Sequence, residues 1–354
     1  IEERRVSPIV GPDLLRVDTD QGPRLLYEWL AEKLAVKLSV DPTGLPQPLT
    51  LNDVVCSYLG QRGRREEAYT RLRSIMREVT IAPPVALRQL AQITDFDLFI
   101  TTTFDPLLEQ AVNLERFGGQ PHAEVIAYAP NRVSDLPAER SQLQRPVVYH
   151  MLGKLSASPT YVVSDEDMLE FICALQSEHL TPEKLFHELE HSHLLLIGSD
   201  FSNWLARLFL RMAKRKRLSD PRDFSEVFAD DHTMKDDRLV AFLQQVSVRT
   251  RVYGGGEKFV DELHRRWTIR RKPADVVELA HRVLGTAQHL GTDRDRHVRA
   301  LSGHARAVGP IQPLAADLAE RVGSPLRWRP IVALTPRVGL GVEHRMERGQ
   351  QRLS

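Results

Sequence analysis

The segment Asp97–Val112 constrains the fold of this chain more than any other stretch, because it joins a short apolar run to a polar turn and a helix start. Leu98-Phe99-Ile100 has the character of a buried strand, and three threonines follow it directly. Asp105 is a favourable N-cap, and Pro106 suits the first helical position. A strand that leads through a polar turn into a helix N-terminus is typical of nucleotide sites in parallel α/β sheets, where free amides and the helix dipole favour phosphate.

The same alternation of strand-like and helix-like segments continues over the first 270 residues. Short apolar runs are separated by segments in which apolar residues recur at helical spacing. We predict strands at Val6–Val10, Leu98–Ile100, Glu124–Tyr128, Pro146–Met151, His193–Gly198, Ser225–Ala229 and Val248–Tyr253. We predict helices at Arg24–Leu38, Arg64–Val79, Thr181–His191, Ser202–Arg217 and Glu257–Trp267, with further helix starts at Thr50, Pro106 and Ser164. This order predicts an α/β fold, a Rossmann-like parallel sheet with helices on both faces and an α-helical insertion after the first strand.

Composition limits the class of protein. The chain has 354 residues, 42% of them hydrophobic, which is enough for one large domain or two ordinary ones. Its two cysteines are far apart, which argues against a disulfide framework or a cysteine-rich zinc site and favours a reducing cytoplasm. No apolar run approaches the roughly 18 residues of a membrane helix, so we expect no membrane association.

Charge divides the chain into two parts. Residues 271–354 contain 14 basic and 8 acidic side chains, whereas residues 1–270 contain 34 basic and 39 acidic ones. We predict one domain at 1–270 and a basic, Arg-rich appendage at 271–354 that is partly helical or poorly ordered. Such an appendage can contact nucleic acid or an acidic partner. A solvated tail is the simpler interpretation, because no binding motif accompanies the charge.

The segment His187-Glu188-Leu189-Glu190-His191 matches the H-E-x-x-H signature of zinc hydrolases. On a helix this spacing places two imidazoles on one face with a carboxylate base between them. A catalytic zinc needs a further ligand, but the chain runs directly into the apolar segment from His193. The polar face of a surface helix explains the same residues, and we expect no metal site.

Two further segments lie where a parallel sheet delivers residues to its ligand crevice. His150 stands near the end of the strand predicted at Pro146–Met151, and Gly198 follows the most apolar strand. Glycine lets a ligand approach the backbone, and the next residues, Ser199 and Asp200, can bond ribose hydroxyls. A helix-capping turn without a ligand fits them equally well. The chain has no GxGxxG or GxxxxGK[ST], which argues against an ordinary Rossmann dehydrogenase and a P-loop NTPase.

Three segments together resemble the bacterial sirtuin-like domain of the silent-information-regulator type, an NAD-hydrolysing module of several phage-defence systems. TTTFDPLLEQAV is similar to the family's TTN[YF]DxLLE, YHMLGKLSASPTYVVSDEDM to its LHG…P…V[IL][ST]xxDY, and LLLIGSDFSNW to its LLxxGxSxxD. Their order and approximate spacing also match. The resemblance covers about residues 5–267 and leaves the C-terminal appendage unexplained.

The resemblance implies a site for NAD, as substrate or ligand. In that family a histidine on the strand after the central turn acts with an asparagine of the turn on the nicotinamide ribose. Carried over, His150 is the base or positioning residue, and Asp105 supports the ribose pocket. The residues implied to line the pocket or to contact the adenosine side are Thr101, Thr102, Gly198, Ser199 and Asp200. Cleavage of the glycosidic bond creates an oxocarbenium-like sugar, which needs a held ribose and a positioned water.

The chain departs from the family pattern at two places. Thr103 takes the position of the catalytic asparagine, and a hydroxyl cannot offer the paired donor and acceptor of an amide. The glycine-rich turn appears as Val10-Gly11-Pro12-Asp13, so Gly11 and Asp13 take its nucleotide-binding positions, while Pro12 lacks an amide for phosphate. The paired cysteines of the deacetylase zinc ribbon are absent, which argues against protein deacetylation.

Three functions follow from these observations. The first is a sirtuin-like domain of a bacterial immune protein that hydrolyses NAD to ADP-ribose and nicotinamide. The second is a catalytically degenerate module that senses a nucleotide or scaffolds a defence complex, and the third is a zinc hydrolase. The resemblance also implies a homo-oligomer or a partner defence protein.

Overall fold

A computed structural model describes residues 5–19, 22–199, 208, 211–215, 217, 225–246 and 250–271. The strands are β1 Val6–Val10, β2 Arg16–Thr19, β3 Gly22–Leu25, β4 Leu98–Thr101, β5 Glu124–Ala127, β6 Val147–His150, β7 His193–Ile197, β8 Glu226–Ala229 and β9 Arg251–Tyr253. The helices are α1 Leu26–Leu38, α2 Leu51–Gly60, α3 Arg65–Glu78, α4 Val85–Gln92, α5 Leu107–Phe117, α6 Asp165–Gln176, α7 Glu183–Glu190, α8 Asp231–Lys235, α9 Asp237–Val246 and α10 at 256–271.

Seven of the nine described strands form one sheet in the order β5-β6-β4-β1-β7-β8-β9, and every pairing in it is parallel. Alternate residues of a strand face opposite sides of the sheet. Val10 and Ile197 accordingly pack with α1–α5, whereas Ile9 and Leu196 pack with α6, α7 and α9. The predicted α/β fold, with helices on both faces of a parallel sheet, is confirmed.

Strand β1 lies at the point where the order of the sheet reverses. It pairs with β4 on one side and with β7 on the other. The strands on the β4 side of β1 come first in the sequence, and those on the β7 side follow. In open α/β sheets, the carboxyl ends of the strands at such a reversal form the ligand crevice. The fold therefore places any nucleotide site at the ends of β1, β4 and β7.

The α-helical insertion predicted after the first strand is also present. Helices α1–α4 lie between β1 and β4, but they follow an antiparallel pair, β2 and β3, that we did not predict. Arg24, predicted to begin the first helix, lies in β3, and α1 begins at Leu26. The four-residue strands alternate too briefly to give a period-2 signal.

Helix starts were predicted well where a side chain caps the helix. Thr50 and Ser164 cap α2 and α6, each in a reciprocal capping box. The start at Pro106 is wrong by one residue, because α5 begins at Leu107 and its N-cap is Pro106 rather than Asp105. The Leu107 amide still donates to Oδ1 of Asp105 (3.1 Å). The short helices α4, α8 and α9 were not predicted.

Several predictions concern residues outside those that the structure describes. They include Asp200, residues 247–249, most of the helix predicted at 202–217 and the appendage beyond residue 271. The domain boundary at 270 stays a prediction. Among the described residues, no helix combines the length and apolar character needed to cross a bilayer.

Candidate functional site

Four strands bring the predicted site residues to one edge of the sheet. The amide of Thr102 donates to the carbonyl oxygen of Val10 (3.0 Å), which joins the ends of β4 and β1. The amide of Gly11 donates to the carbonyl oxygen of Ile197 (2.9 Å), which joins β1 and β7. His150 ends β6, the neighbour of β4. Residues far apart in sequence therefore share the carboxyl edge that the fold assigns to a ligand.

Two glycine turns meet at the centre of this edge. A Cβ atom on Gly11 would lie 2.2 Å from the carbonyl oxygen of Gly198, so the two backbones touch. Gly198 has a φ of +62°, which favours glycine. The amide of Asp13 donates to the same Gly198 oxygen (3.1 Å). The amides of Gly11 and Asp13 are thus bonded within the protein, and Pro12 has none to offer a phosphate.

The threonines after β4 form a compact hydroxyl network. The hydroxyl oxygens of Thr101 and Thr103 are 2.8 Å apart, and the Thr103 amide donates to the Thr101 hydroxyl (3.1 Å). Thr101 also donates to the carbonyl oxygen of Val10 (3.2 Å). Both side chains are buried, whereas that of Thr102 is partly buried. The side chains of Thr101 and Thr103 therefore stabilise the conformation of the turn.

Asp105 is buried beneath this turn and bonds to a residue of the insertion. Its Oδ2 accepts a hydrogen bond from the hydroxyl of Tyr27 in α1 (3.2 Å), and that hydroxyl accepts from the amide of Phe104 (2.9 Å). Burial raises the pKa of Asp105 above its ordinary value. Burial, reinforced by the charge of Asp105, raises the pKa of Tyr27 well above its ordinary value. No local sequence pattern indicated Tyr27.

His150 is fully buried and has a partner at each ring nitrogen. Nδ1 lies 3.1 Å from the carbonyl oxygen of Thr103, and Nε2 lies 3.3 Å from Oε2 of Glu109 in α5. Oε1 of Glu109 also pairs with Nζ of Lys154 (2.7 Å). Burial pushes the pKa of Glu109 upward, but the hydrogen bonds from His150 and Lys154 outweigh it, so this pKa is lowered. Sequence reasoning missed Glu109, although it stands one helical turn after Asp105.

A cavity of about 500 Å³ opens on the other side of β1. Its walls include Asp13, Gly198, His232, Lys235 and Lys258. Three consecutive glycines at 254–256 also line it, and α10 begins at the last of them. Beside Gly198, the hydroxyl oxygen of Ser199 is buried without a hydrogen-bond partner among the described residues. A buried hydroxyl in this state is suited to a ligand's polar group.

A comparison with known families agrees with this geometry. Residues 97–250 match a family model described as SIR2-like domain. This chain contains a SIR2-like domain. The matched stretch includes the threonine turn, Asp105, His150 and Gly198, whereas Gly11 and Asp13 precede it. No curated protein matches the chain.

SIR2-like domains generally bind NAD-related ligands, so the residues present can be compared with that ligand. The lining of the cavity beside Gly198 includes two lysines and the N-terminus of α10, together with four carboxylates: Asp13, Asp230, Asp231 and Glu257. The His150 side is closed in this structure, since the ring is fully buried and both of its nitrogens have partners. The structure therefore has an open cavity beside Gly198, whereas His150 is enclosed.

The HELEH segment of the SIR2-like domain does not gather a set of metal ligands. His187 and His191 are exposed near the C-terminal end of α7, with ring centroids 4.4 Å apart, and Nδ1 of His191 donates to the His187 carbonyl oxygen (2.8 Å). Within the described part of the chain, no group of three or more His, Cys, Asp or Glu side chains could hold a metal ion. The zinc-hydrolase hypothesis gains no support.

Proposed function

We propose that this SIR2-like domain binds NAD along the ends of β1, β4, β6 and β7 and hydrolyses it to ADP-ribose and nicotinamide within a bacterial anti-phage protein. The observation that carries the proposal is the convergence of His150, Thr103 and Asp105 beside the turn of a matched SIR2-like domain. The cavity beside Gly198 supports the proposal, because it provides room for the remainder of the dinucleotide.

Hydrolysis of NAD requires the protein mainly to position the ribose and a water molecule. The bond between C1′ of the ribose and the pyridinium nitrogen breaks, and its electron pair leaves with neutral nicotinamide. A water oxygen adds to C1′, and the proton that it loses passes to Nε2 of His150 once that nitrogen is free. Asp105 is buried beneath the turn and supports it through hydrogen bonds from the Tyr27 hydroxyl and the Leu107 amide. Thr103 offers a single hydroxyl where the family has an amide.

A second candidate is a nucleotide-sensing or scaffolding module without turnover. Two specific observations favour it. The amides of Gly11 and Asp13 are engaged with backbone carbonyls, and both nitrogens of His150 have partners within the protein. A domain of this kind would bind NAD or ADP-ribose in the Gly198 cavity and act through a homo-oligomer or a partner protein. Both candidates suit a reducing cytoplasm, since Cys56 and Cys173 are free and exposed.

The deciding experiment measures NAD consumption by the purified protein over a range of concentrations, with product analysis and His150→Ala as a control. Nicotinamide and ADP-ribose formed by the wild type but not by the variant would support hydrolysis. No turnover, together with a raised melting temperature in NAD or ADP-ribose, would favour the sensing module. Neither turnover nor binding would overturn both candidates.

A further inference from the structure

A further cavity, of about 390 Å³, lies in the helical insertion. Three buried apolar side chains line it, Val17 of β2, Trp29 of α1 and Ile75 of α3. Its rim carries two exposed apolar side chains, Val36 of α1 (79% accessible) and Val79 directly after α3 (39% accessible). None of these five residues lines the cavity of the candidate NAD site. The insertion therefore has an apolar cavity that the proposed reaction does not use.

This cavity meets one edge of strand β2. Three consecutive residues of the strand, Val17, Asp18 and Thr19, line it, although alternate residues of a strand face opposite sides of the ladder. No residue of β3, a strand that the structure describes throughout, lines it. The cavity therefore lies at the outer edge of β2, on the side away from β3.

The backbone groups of Asp18 point to this outer edge. In an antiparallel pair, residues bonded to the opposite strand alternate with residues whose amide and carbonyl groups point away from it. Asp18 stands opposite Pro23, which has no amide to donate, so Asp18 is of the second kind. Within the described part of the chain, β2 pairs with β3 alone, and Asp18 makes no backbone hydrogen bond to any other element. Strand β2 thus offers a donor and an acceptor to a third strand.

The charges around the cavity favour a basic residue on such a strand. Two lysines and two carboxylates line the cavity. Nζ of Lys37 pairs with Oε1 of Glu78 (3.1 Å), and Nζ of Lys33 lies 5.5 Å from the centroid of the Trp29 ring. Asp18 is exposed and forms no ion pair with any described residue. Opposite charges on directly facing residues stabilise a strand pair, so Asp18 favours a lysine or arginine across from it.

We propose that the outer edge of β2 and the adjoining cavity form a docking site for an extended peptide segment of a partner protein, which adds a third strand to β2 and β3. The segment has a basic residue opposite Asp18. Its two neighbours point to the side of Val17, because side chains alternate, and place apolar groups in the cavity. Backbone hydrogen bonds supply affinity in this mode of recognition, and the cavity supplies specificity.

A third strand also has a structural reason. A pair of antiparallel strands is marginally stable by itself, and a further strand stabilises it. The docking site does not depend on the function proposed above, since it shares no residue with the threonine turn or with the cavity beside Gly198.

The experiment selects binders to the full chain from a phage library of random dodecapeptides and measures the Kd of the selected peptides. We expect a basic residue between two apolar ones, and an acidic residue at that position when Asp18→Lys is the target. Val36→Asp places a charge on the rim and should raise the Kd about tenfold. Val85→Asp, at an exposed valine of α4 outside the cavity (68% accessible), is the matched control and should leave the Kd unchanged.

Amide hydrogen exchange of the full chain locates the bound peptide. In the free protein, the amide of Asp18 should exchange rapidly, whereas that of Val17, which faces β3, should be protected. A selected peptide should slow the exchange of Asp18 at least tenfold if it pairs with β2.

Several results would overturn the docking site. An Asp18 amide that is protected in dilute free protein would show that the edge is already paired. Protection that appears only at high protein concentration would identify a second copy of this chain as the occupant. If no peptide is enriched, the cavity suits a small apolar molecule instead, and peptides that bind Val36→Asp and Asp18→Lys as tightly as the wild type bind elsewhere.

Discussion

At the scale of the residue, the buried atoms of the threonine turn both stabilise the backbone and position the candidate site residues. The hydroxyl of Thr103 bonds to that of Thr101, and its carbonyl oxygen holds Nδ1 of His150. Two residues on, Asp105 accepts hydrogen bonds from the amide of Leu107 and from the hydroxyl of Tyr27. A substitution here therefore changes the position of the histidine as well as the groups available to a ribose.

Thr103→Asn tests the residue at which the chain departs from the family pattern. An amide adds a donor and an acceptor beside the ribose position, so we expect NAD turnover per molecule to rise about tenfold, the effect of roughly one hydrogen bond to a developing charge. Thr70→Asn, the same change at an exposed threonine on α3, is the matched control and should leave turnover unchanged. Initial rates of nicotinamide release provide the measurement. A fall in the rate for Thr103→Asn would contradict the prediction.

The raised pKa of Asp105 predicts a pH dependence of stability. The folded state binds this proton more tightly than the unfolded chain does, because burial penalises the carboxylate. The stabilisation by the protonated form is complete below the unfolded pKa and is lost as pH rises through the raised folded pKa. The side chain of Asp105→Asn stays neutral at every pH, so we expect this variant not to lose that stabilisation as pH rises.

Urea denaturation of the wild type and of Asp105→Asn at a series of pH values tests this expectation. As pH rises through the raised folded-state pKa of Asp105, the unfolding free energy of Asp105→Asn should increase relative to that of the wild type. Asp18→Asn, an exposed change on β2, is the control for general charge effects. A difference that stays constant, or that shifts the other way, would show that the protonation of Asp105 does not contribute as described.

At the scale of the element, the turn after β7 is shaped by its contact with the turn after β1. Gly198 has a φ of +62°, and a Cβ atom there would lie 2.6 Å from the amide nitrogen of Leu14. The amide of Gly198 donates to the carbonyl oxygen of Ala229 at the end of β8 (3.0 Å). The turn thus joins three strand ends, and only a residue without a side chain fits it.

Gly198→Ala should destabilise the protein by more than the conformational cost of a positive φ. Gly118, at the C-terminus of α5, provides a matched control, with a φ of +59° and no atom within 4 Å of an added Cβ. Gly118→Ala should cost about 1–2 kcal/mol from its backbone conformation alone. We expect a larger loss for Gly198→Ala, measured by urea denaturation. Equal losses would show that the Leu14 contact relaxes without cost.

At the scale of the whole molecule, the helical insertion is connected to the site by Tyr27. Its hydroxyl bonds to Asp105 and to the amide of Phe104, and its ring packs against that of Phe104 with centroids 4.9 Å apart. Farther into the insertion, the hydroxyl of Tyr69 donates to the carbonyl oxygen of Tyr161, in the segment after β6 (3.0 Å). The insertion therefore supports the site from two directions.

A double-mutant cycle of Tyr27→Phe and Asp105→Asn measures that connection. Tyr27→Phe removes the donor of the buried hydrogen bond, and Asp105→Asn replaces its carboxylate acceptor with a neutral amide oxygen, so we expect a coupling free energy of about 0.5–3 kcal/mol in unfolding experiments. Tyr58→Phe with Asp105→Asn is the control pair, because the hydroxyl of Tyr58 donates to Glu67 within the insertion. Additive losses in the first cycle would mean that the insertion and the turn are energetically independent.

The fold could be predicted from the sequence because its signals are local. Apolar runs such as Leu98–Ile100 and His193–Gly198 mark buried parallel strands, and the capping boxes at Thr50 and Ser164 mark helix starts. The antiparallel strands β2 and β3 and the short helices were missed, since elements of four to ten residues give little periodicity.

The sequence by itself determined the α/β class, the central strand–turn–helix unit and the candidate site residues of the turn and strand ends, because these depend on periodicity, capping and motif spacing. Only the tertiary structure decided that Tyr27 bonds to Asp105, that Glu109 reaches His150, and that the turn amides of Gly11 and Asp13 are already engaged. Those contacts join segments that share no local pattern. They arise from the packing of helices on an open parallel sheet, where most buried polar groups find a partner.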